Sequence, residues 1–198
     1  MTVGDASPRP SRLVLVAGTG SICYGRNAAG ETARCGGYGY LVDDEGSGYA
    51  IGRDILTAVL RSHDGRNAPT ALSALVFGTD KWRDIPTIMR TLYVGETDKS
   101  QVASLAPLLI QAGQDPAAQA ISRKAAAELA ARCKTAVKKL RMPDARVALS
   151  GSILAHFEGV RGETTRRLLA GFPDLRFMDP LHDAAWGAAL MARLAFGR

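Results

Sequence analysis

The sequence predicts an α/β lobe in which a mixed β-sheet is flanked by helices. Three observations predict it: short apolar runs separated by turn residues at the front, a helical middle ending in one long amphipathic stretch, and a return through a second apolar run into a Gly-Ser turn. The 198 residues, 46% apolar and 22% charged, can bury a full core as one globular unit.

Residues 1–11, rich in Pro and Ser, read as a disordered leader, and structure begins at Arg12. Leu13 to Ala17 is wholly apolar and runs into glycine, as a buried strand does. Ile22 to Arg26 follows as its hairpin partner, and Glu31 to Cys35 is a third short strand after the turn residues Asn27 and Gly30. The opening is therefore a β-meander. Gly36, Gly37, Gly39, Gly46, Gly48 and Gly52 then crowd around Asp43, Asp44 and Glu45, a density that weakens any regular element and points to close approach of a ligand or another chain segment. A helix starts after Ser47 as N-cap, with Ile51, Ile55, Leu56, Val59 and Leu60 on one face, and HDGRN ends it.

Ala71 to Gly113 reads as several shorter helices with breaks at Pro86, Gly95 and Gly113. Asp115 and Pro116 open a long helix to Leu140, apolar at Ile121, Ala125, Leu129, Cys133, Val137 and Leu140. Its cations Lys124, Arg132, Lys134, Lys138, Lys139 and Arg141 gather late, where the helix dipole favours them, and read as a solvated helix end. Past Pro143, ARVALSGSILAHF is a strand entering a turn at Ser150 to Ser152. Residues 160–170 follow as a helix, LRFMDP as a short strand, and His182 to Leu194 as a closing helix packed through small residues.

The net charge of +6 sets association tendencies and does not select nucleic acid, because the cations of that helix account for most of it. Cys23, Cys35 and Cys133, an odd count without a CxxC pair, fit reduced thiols in a cytoplasmic protein and imply no zinc or iron–sulfur cluster. Cys23 and Cys35 read as small hydrophobes facing each other or the core. No secretory signal and no membrane span is apparent. His63, His156 and His182 have no partner pattern and read as surface or packing residues.

The segments AGTGS, GGYGYLVDDEGSGYAIGR, QDPAAQAISRKAAAELA and VALSGSILAH, in that order and at these separations, resemble the C-terminal lobe of the BadF/BadG/BcrA/BcrD-type ATPases. Within that group the sequence is most similar to the N-acetylglucosamine and glucosamine kinases of the actin, Hsp70 and sugar kinase superfamily. The resemblance runs from about Leu13 to Arg193 and implies a ribonuclease H-like, actin-like ATPase lobe over residues 12–198. It implies an ATP-dependent amino-sugar kinase, with ATP, Mg²⁺ and an amino sugar as ligands.

The resemblance places Thr19 and Gly20 on a phosphate-binding hairpin, where a Cβ would hold the phosphates away. It puts Ser21 and Ile22 at the sugar, Ile22 where members with Asn make a polar contact. Gly37, Tyr38 and Gly39 fall on the loop that cradles the sugar, and Asp44 on an aspartate that accepts from its hydroxyls. Gly151 and Ser152 match an adenosine-side turn, and Ala112 and Gly113 lie near another adenosine contact. Simpler readings stand beside these: Gly-Thr-Gly-Ser as a tight turn, Gly151–Ser152 as a strand-to-helix turn, and Asp43 and Glu45 as a solvated acidic cluster ahead of the helix.

No catalytic residue carries over. Members of the family place a DGGGT-like phosphate loop and the general base in an N-terminal lobe ahead of the hairpin, where this sequence has only its leader. The expectation is a nucleotide- and sugar-contacting lobe that is truncated, encoded separately from its other lobe, or adapted to a homodimer. Two alternatives belong to other classes: a non-catalytic sugar- or nucleotide-binding regulatory module, and an activator ATPase coupled to an iron–sulfur cluster, whose ligand arrangement Cys23 and Cys35 do not show.

Overall fold

The computed structural model describes residues 12–94 and 98–180, with a few isolated positions between 185 and 193. The leader, the break at Gly95 and most of the closing helix lie outside the described residues. Five strands, β1 (Arg12–Ala17), β2 (Ser21–Arg26), β3 (Thr32–Gly36), β4 (Arg146–Ser150) and β5 (Arg176–Met178), form one sheet in the order β3-β2-β1-β4-β5. The meander β1-β2-β3 is antiparallel as its turns dictate, whereas β4 joins β1 in parallel and β5 joins β4 in parallel.

Alternation along the strands selects the buried face. Leu13, Leu15, Ala17, Cys23, Val147 and Leu149 are buried and share that face, which is covered over β1 to β3 by the long helix α6 (Pro116–Leu140). Each buried leucine contributes roughly 2 kcal/mol of transfer free energy. Cys23 and Cys35 stand directly opposite one another on β2 and β3, and Cys133 comes down on them from α6. A hydrogen bond with Cys133, followed by burial, pushes the Cys23 thiol far up, and burial also raises Cys35, so these two behave as inert packing groups.

Helix starts are fixed by side chains. Ser47 caps α1 (Gly48–His63) by accepting from the Ala50 amide. Thr70 caps α2 (Ala71–Phe77), and Asp84 caps α3 (Ile85–Tyr93). Pro86 sits in the first turn of α3 and opens that helix instead of breaking one, because a first-turn residue needs no amide hydrogen. Short helices α4 (Lys99–Ala103) and α5 (Leu108–Ala112) precede α6. Asp115 accepts from Ala117 and Ala118 at the start of α6 and also from the Thr70 hydroxyl and the Ala71 amide, joining two helix ends through one carboxylate. Burial pushes that carboxyl up, but these donors outweigh burial and hold it below its ordinary range. After β4 come α7 (Ser152–His156) and α8 (Glu158–Leu169), and α8 packs along α6.

Candidate functional site

The parallel pairing of β1 and β4 carries both glycine turns to the same end of the sheet, outside the carboxyl ends of the strands. Gly151, which follows β4, has φ 88° and ψ 156°, a region that only glycine occupies readily. A Cβ there would run into the Ala17 carbonyl and stand 2.9 Å from the Gly18 nitrogen. The two turns therefore touch, backbone against backbone.

The hairpin tip Gly18-Thr19-Gly20 is docked on the start of α1. The Gly48 amide donates to the Gly18 carbonyl at 2.7 Å, and the Tyr49 amide to the Thr19 carbonyl at 3.3 Å. These bonds satisfy helix-end amides that would otherwise lack partners. Thr19 and Ser152 face a common cavity of about 460 Å³, walled on its apolar side by Ile110 and Phe157 and bordered by His156. A second cavity of about 290 Å³ shares Ile110, His156 and Phe157 with the first and is lined by Gly113. Ala112, in contrast, packs against the hydrophobic core and belongs to neither wall.

The other side of the hairpin rests on Asp44. Its backbone is left-handed, at φ 62°, and the residue is only 6% exposed. The Ser21 amide donates to Asp44 Oδ1 at 3.2 Å, and a Cβ on Gly20 would lie 2.9 Å from Asp44 Oδ2. Beyond it, Gly37 abuts the Ile22 side chain, and Arg34 donates to the Gly36 and Gly37 carbonyls. The same guanidinium lies 5.3 Å over the ring of Tyr38, which is 70% exposed, and the Tyr38 amide donates to Asp43 Oδ2 at 3.2 Å. The sequence-expected residues thus fall into two groups on opposite sides of one hairpin: Thr19 with Ser152, and Ser21 and Gly20 with Asp44. Gly39 lies in the loop leading to Asp44, and no atom would stand within 4 Å of a Cβ there.

The description of the BadF/BadG/BcrA/BcrD ATPase family matches residues 10–192. The chain belongs to that family. It is 32% identical over 185 residues to an N-acetylmuramic acid/N-acetylglucosamine kinase of Clostridium acetobutylicum, covering 91% of this chain and 60% of the relative. It is 29% identical over 188 residues to an N-acetyl-D-glucosamine kinase of Dictyostelium discoideum, covering 91% and 58%. The chain thus spans about three fifths of the length of the curated relatives it matches. Among solved structures it is similar to a Chromobacterium violaceum protein assigned as an N-acetylglucosamine kinase, with TM-score 0.72, 28% identity, and coverage of 91% of this chain and 59% of that one. A Porphyromonas gingivalis protein with the same assignment shares the fold, with TM-score 0.67, 19% identity, and coverage of 93% and 61%. The mixed sheet with flanking helices is the actin-like ATPase fold of these kinases.

Three residues differ from the sequence expectation. Asp43 and Glu45 are not a solvated cluster ahead of α1, whose first turn holds no acidic residue. Asp43 pairs with Arg132, and Glu45 pairs with Arg53 at 2.8 Å. Burial pushes the Asp43 carboxyl up, and the Arg132 and Tyr38 donors outweigh it and hold the group below its ordinary range. Arg132 is no part of a solvated helix end either: it is 9% exposed and turned toward the sheet. The available signal was its place three residues after Leu129 and four before Ala136, on the apolar stripe of α6. His156, read as a surface or packing residue, borders both cavities, one helical turn after the Gly151–Ser152 turn.

Proposed function

We propose that residues 12–198 form the nucleotide- and sugar-contacting lobe of an ATP-dependent amino-sugar kinase, acting in the cytoplasm. The observation that carries this reading is the double-sided hairpin: Thr19 lines a cavity with Ser152, while Gly20 and Ser21 on the other side back onto a buried aspartate. Transfer of a γ-phosphoryl group to a sugar hydroxyl asks the protein mainly to position donor and acceptor. The Thr19 hydroxyl and the hairpin backbone meet the phosphates, and Ser152 and Gly113 border the adenosine, with Ile110 and Phe157 as apolar wall. Asp44 accepts from the sugar with the oxygen not engaged by Ser21, beside Ser21, Ile22 and the loop Gly37-Tyr38-Gly39.

Among the described residues no group of three or more His, Cys, Asp or Glu side chains is arranged to hold a metal ion. In this reading Mg²⁺ arrives on the nucleotide phosphates and retains its waters. The printed names of the relatives support an amino sugar as acceptor. We further propose that the length by which those relatives exceed this chain supplies the facing wall and the general base, in the same polypeptide or a separate one. Self-association is also part of the proposal, carried by Leu41 and Val42, 80% and 83% exposed in the loop before α1, and sedimentation checks it.

Calorimetric titration with Mg-ADP and with N-acetylglucosamine tests the reading. Both should bind, and either at ten times its dissociation constant should stabilise the lobe by about 1.4 kcal/mol, a melting shift of roughly 3 to 6 °C. Thr19→Val should weaken the nucleotide alone and Asp44→Asn the sugar alone. Failure of both ligands to bind overturns the proposal.

A further inference from the structure

One guanidinium ties together three segments around Asp44. Arg132 Nη1 donates to the Ser21 hydroxyl at 2.7 Å and to the Glu45 carbonyl, and Nη2 pairs with Asp43 Oδ1. The Ser21 hydroxyl in turn donates to the Glu45 carbonyl at 2.9 Å. The Arg132 stem passes directly beneath Gly36 at the end of β3, where a Cβ would overlap Nε. The start of β2, the end of β3 and the residues on both sides of Asp44 therefore converge on a single side chain that α6 delivers from the opposite layer.

Asp44 needs such support. A left-handed backbone is uncommon for a residue other than glycine and persists where the surroundings over-determine it. Its two neighbours in the chain are both bonded to Arg132, Asp43 through its carboxylate and Glu45 through its carbonyl, so the chain is anchored by a charge-assisted hydrogen bond on either side of Asp44. A lysine, with a point charge and no planar fork, cannot reach the Ser21 hydroxyl, the Glu45 carbonyl and the Asp43 carboxylate together.

We infer that Arg132 is the positioning residue of the sugar side: it fixes Asp44 and the 36–47 loop in the geometry that accepts sugar hydroxyls, and the nucleotide side does not depend on it. The inference rests on the reading of Asp44 as a sugar contact. Its logic is separation, because Thr19 and Ser152 are held by Ala17, Gly18 and the start of α1, none of which Arg132 touches.

The test uses the full chain with Arg132→Lys, Arg132→Met and Asp43→Asn, titrated separately with N-acetylglucosamine and Mg-ADP, together with hydrogen exchange in the absence of ligand. Arg132→Lys should raise the dissociation constant of the sugar at least tenfold and leave that of Mg-ADP within twofold. Asp43→Asn, which keeps the arginine, should show a smaller sugar effect of the same selectivity. Exchange of the amides in residues 36–47 should speed up at least tenfold in either arginine variant, while those of Gly48 and Tyr49 hold. Equal losses for sugar and nucleotide, or a 36–47 loop that exchanges at the parent rate, would overturn the inference and leave Arg132 a packing residue. If the parent chain binds no sugar, the reading of Asp44 as a sugar contact fails, and the exchange of the loop alone still decides whether Arg132 fixes it. Should Arg132→Met not fold, Arg132→Lys and Asp43→Asn carry the test.

Discussion

The two ends of the sheet solve the same electrostatic problem in opposite ways. At the carboxyl ends of β1 and β4 the buried cation Arg132 is matched by a carboxylate, a carbonyl and a hydroxyl. At the other end of the same strands, Arg26, Arg12, Arg146 and Arg176 occupy successive register positions across β2, β1, β4 and β5, and all four are exposed. Among the described residues none of the four enters an ion pair. Neighbouring strands lie about 4.8 Å apart, so these like charges face one another directly and are made tolerable only by water and salt. Constraint, not charge, distinguishes the two ends.

Gly151→Ala attacks the constrained end most directly. It combines a forbidden backbone region with overlap on Ala17, so a loss of about 3 kcal/mol in denaturant melts is expected, together with loss of nucleotide binding. An alanine variant with parent stability would show that the two turns do not need to touch.

Acid should loosen the same end next. Asp43 has its carboxyl held below the ordinary value of 3.8, so its contribution is fully present above that pH and is lost as pH falls through the lower folded value. Asp43→Asn should cost about 1.5 kcal/mol at neutral pH, the order of a hydrogen bond to a charged group, and the gap to the parent should close below pH 3.8. A gap that persists unchanged in acid would mean the pair with Arg132 is not what it measures.

The opposite end should respond in the other direction. Arg141 ends α6 in a left-handed conformation, at φ 54°, on the way into β4, and Arg141→Gly should stabilise by about 1 kcal/mol in thermal melts. Arg146→Thr should add roughly 0.5 kcal/mol by removing a like charge from the row, and the gain should shrink as salt is added. A salt-independent loss from Arg146→Thr would show that the row has partners and erase the contrast between the ends.

What was legible in the sequence was local. The runs at Leu13 and Ile22, the caps Ser47 and Asp115 and the turn at Asn27 to Gly30 are written in residues a few positions apart, and the structure has them at those places. The parallel neighbour relation of β1 and β4 is set by packing over more than a hundred intervening residues, and no short-range pattern announces it. Arg132 was hidden for a related reason: a basic run near a helix end reads as solvated until the stripe it shares with Leu129 and Ala136 is traced. The density of glycine was legible but its cause was mixed, since Gly46 and Gly52 make room for α6 and for the Val102 carbonyl and not for a ligand.

The bonds from the hairpin carbonyls to the first amides of α1 have one further consequence. A free glycine-rich turn would lose its conformational freedom each time a ligand arrived, and that loss would subtract from affinity. Here the freedom of Gly18 and Thr19 is given up during folding, when Gly48 and Tyr49 take their carbonyls, so under the proposed function the entropy of that turn is already spent before a phosphate arrives.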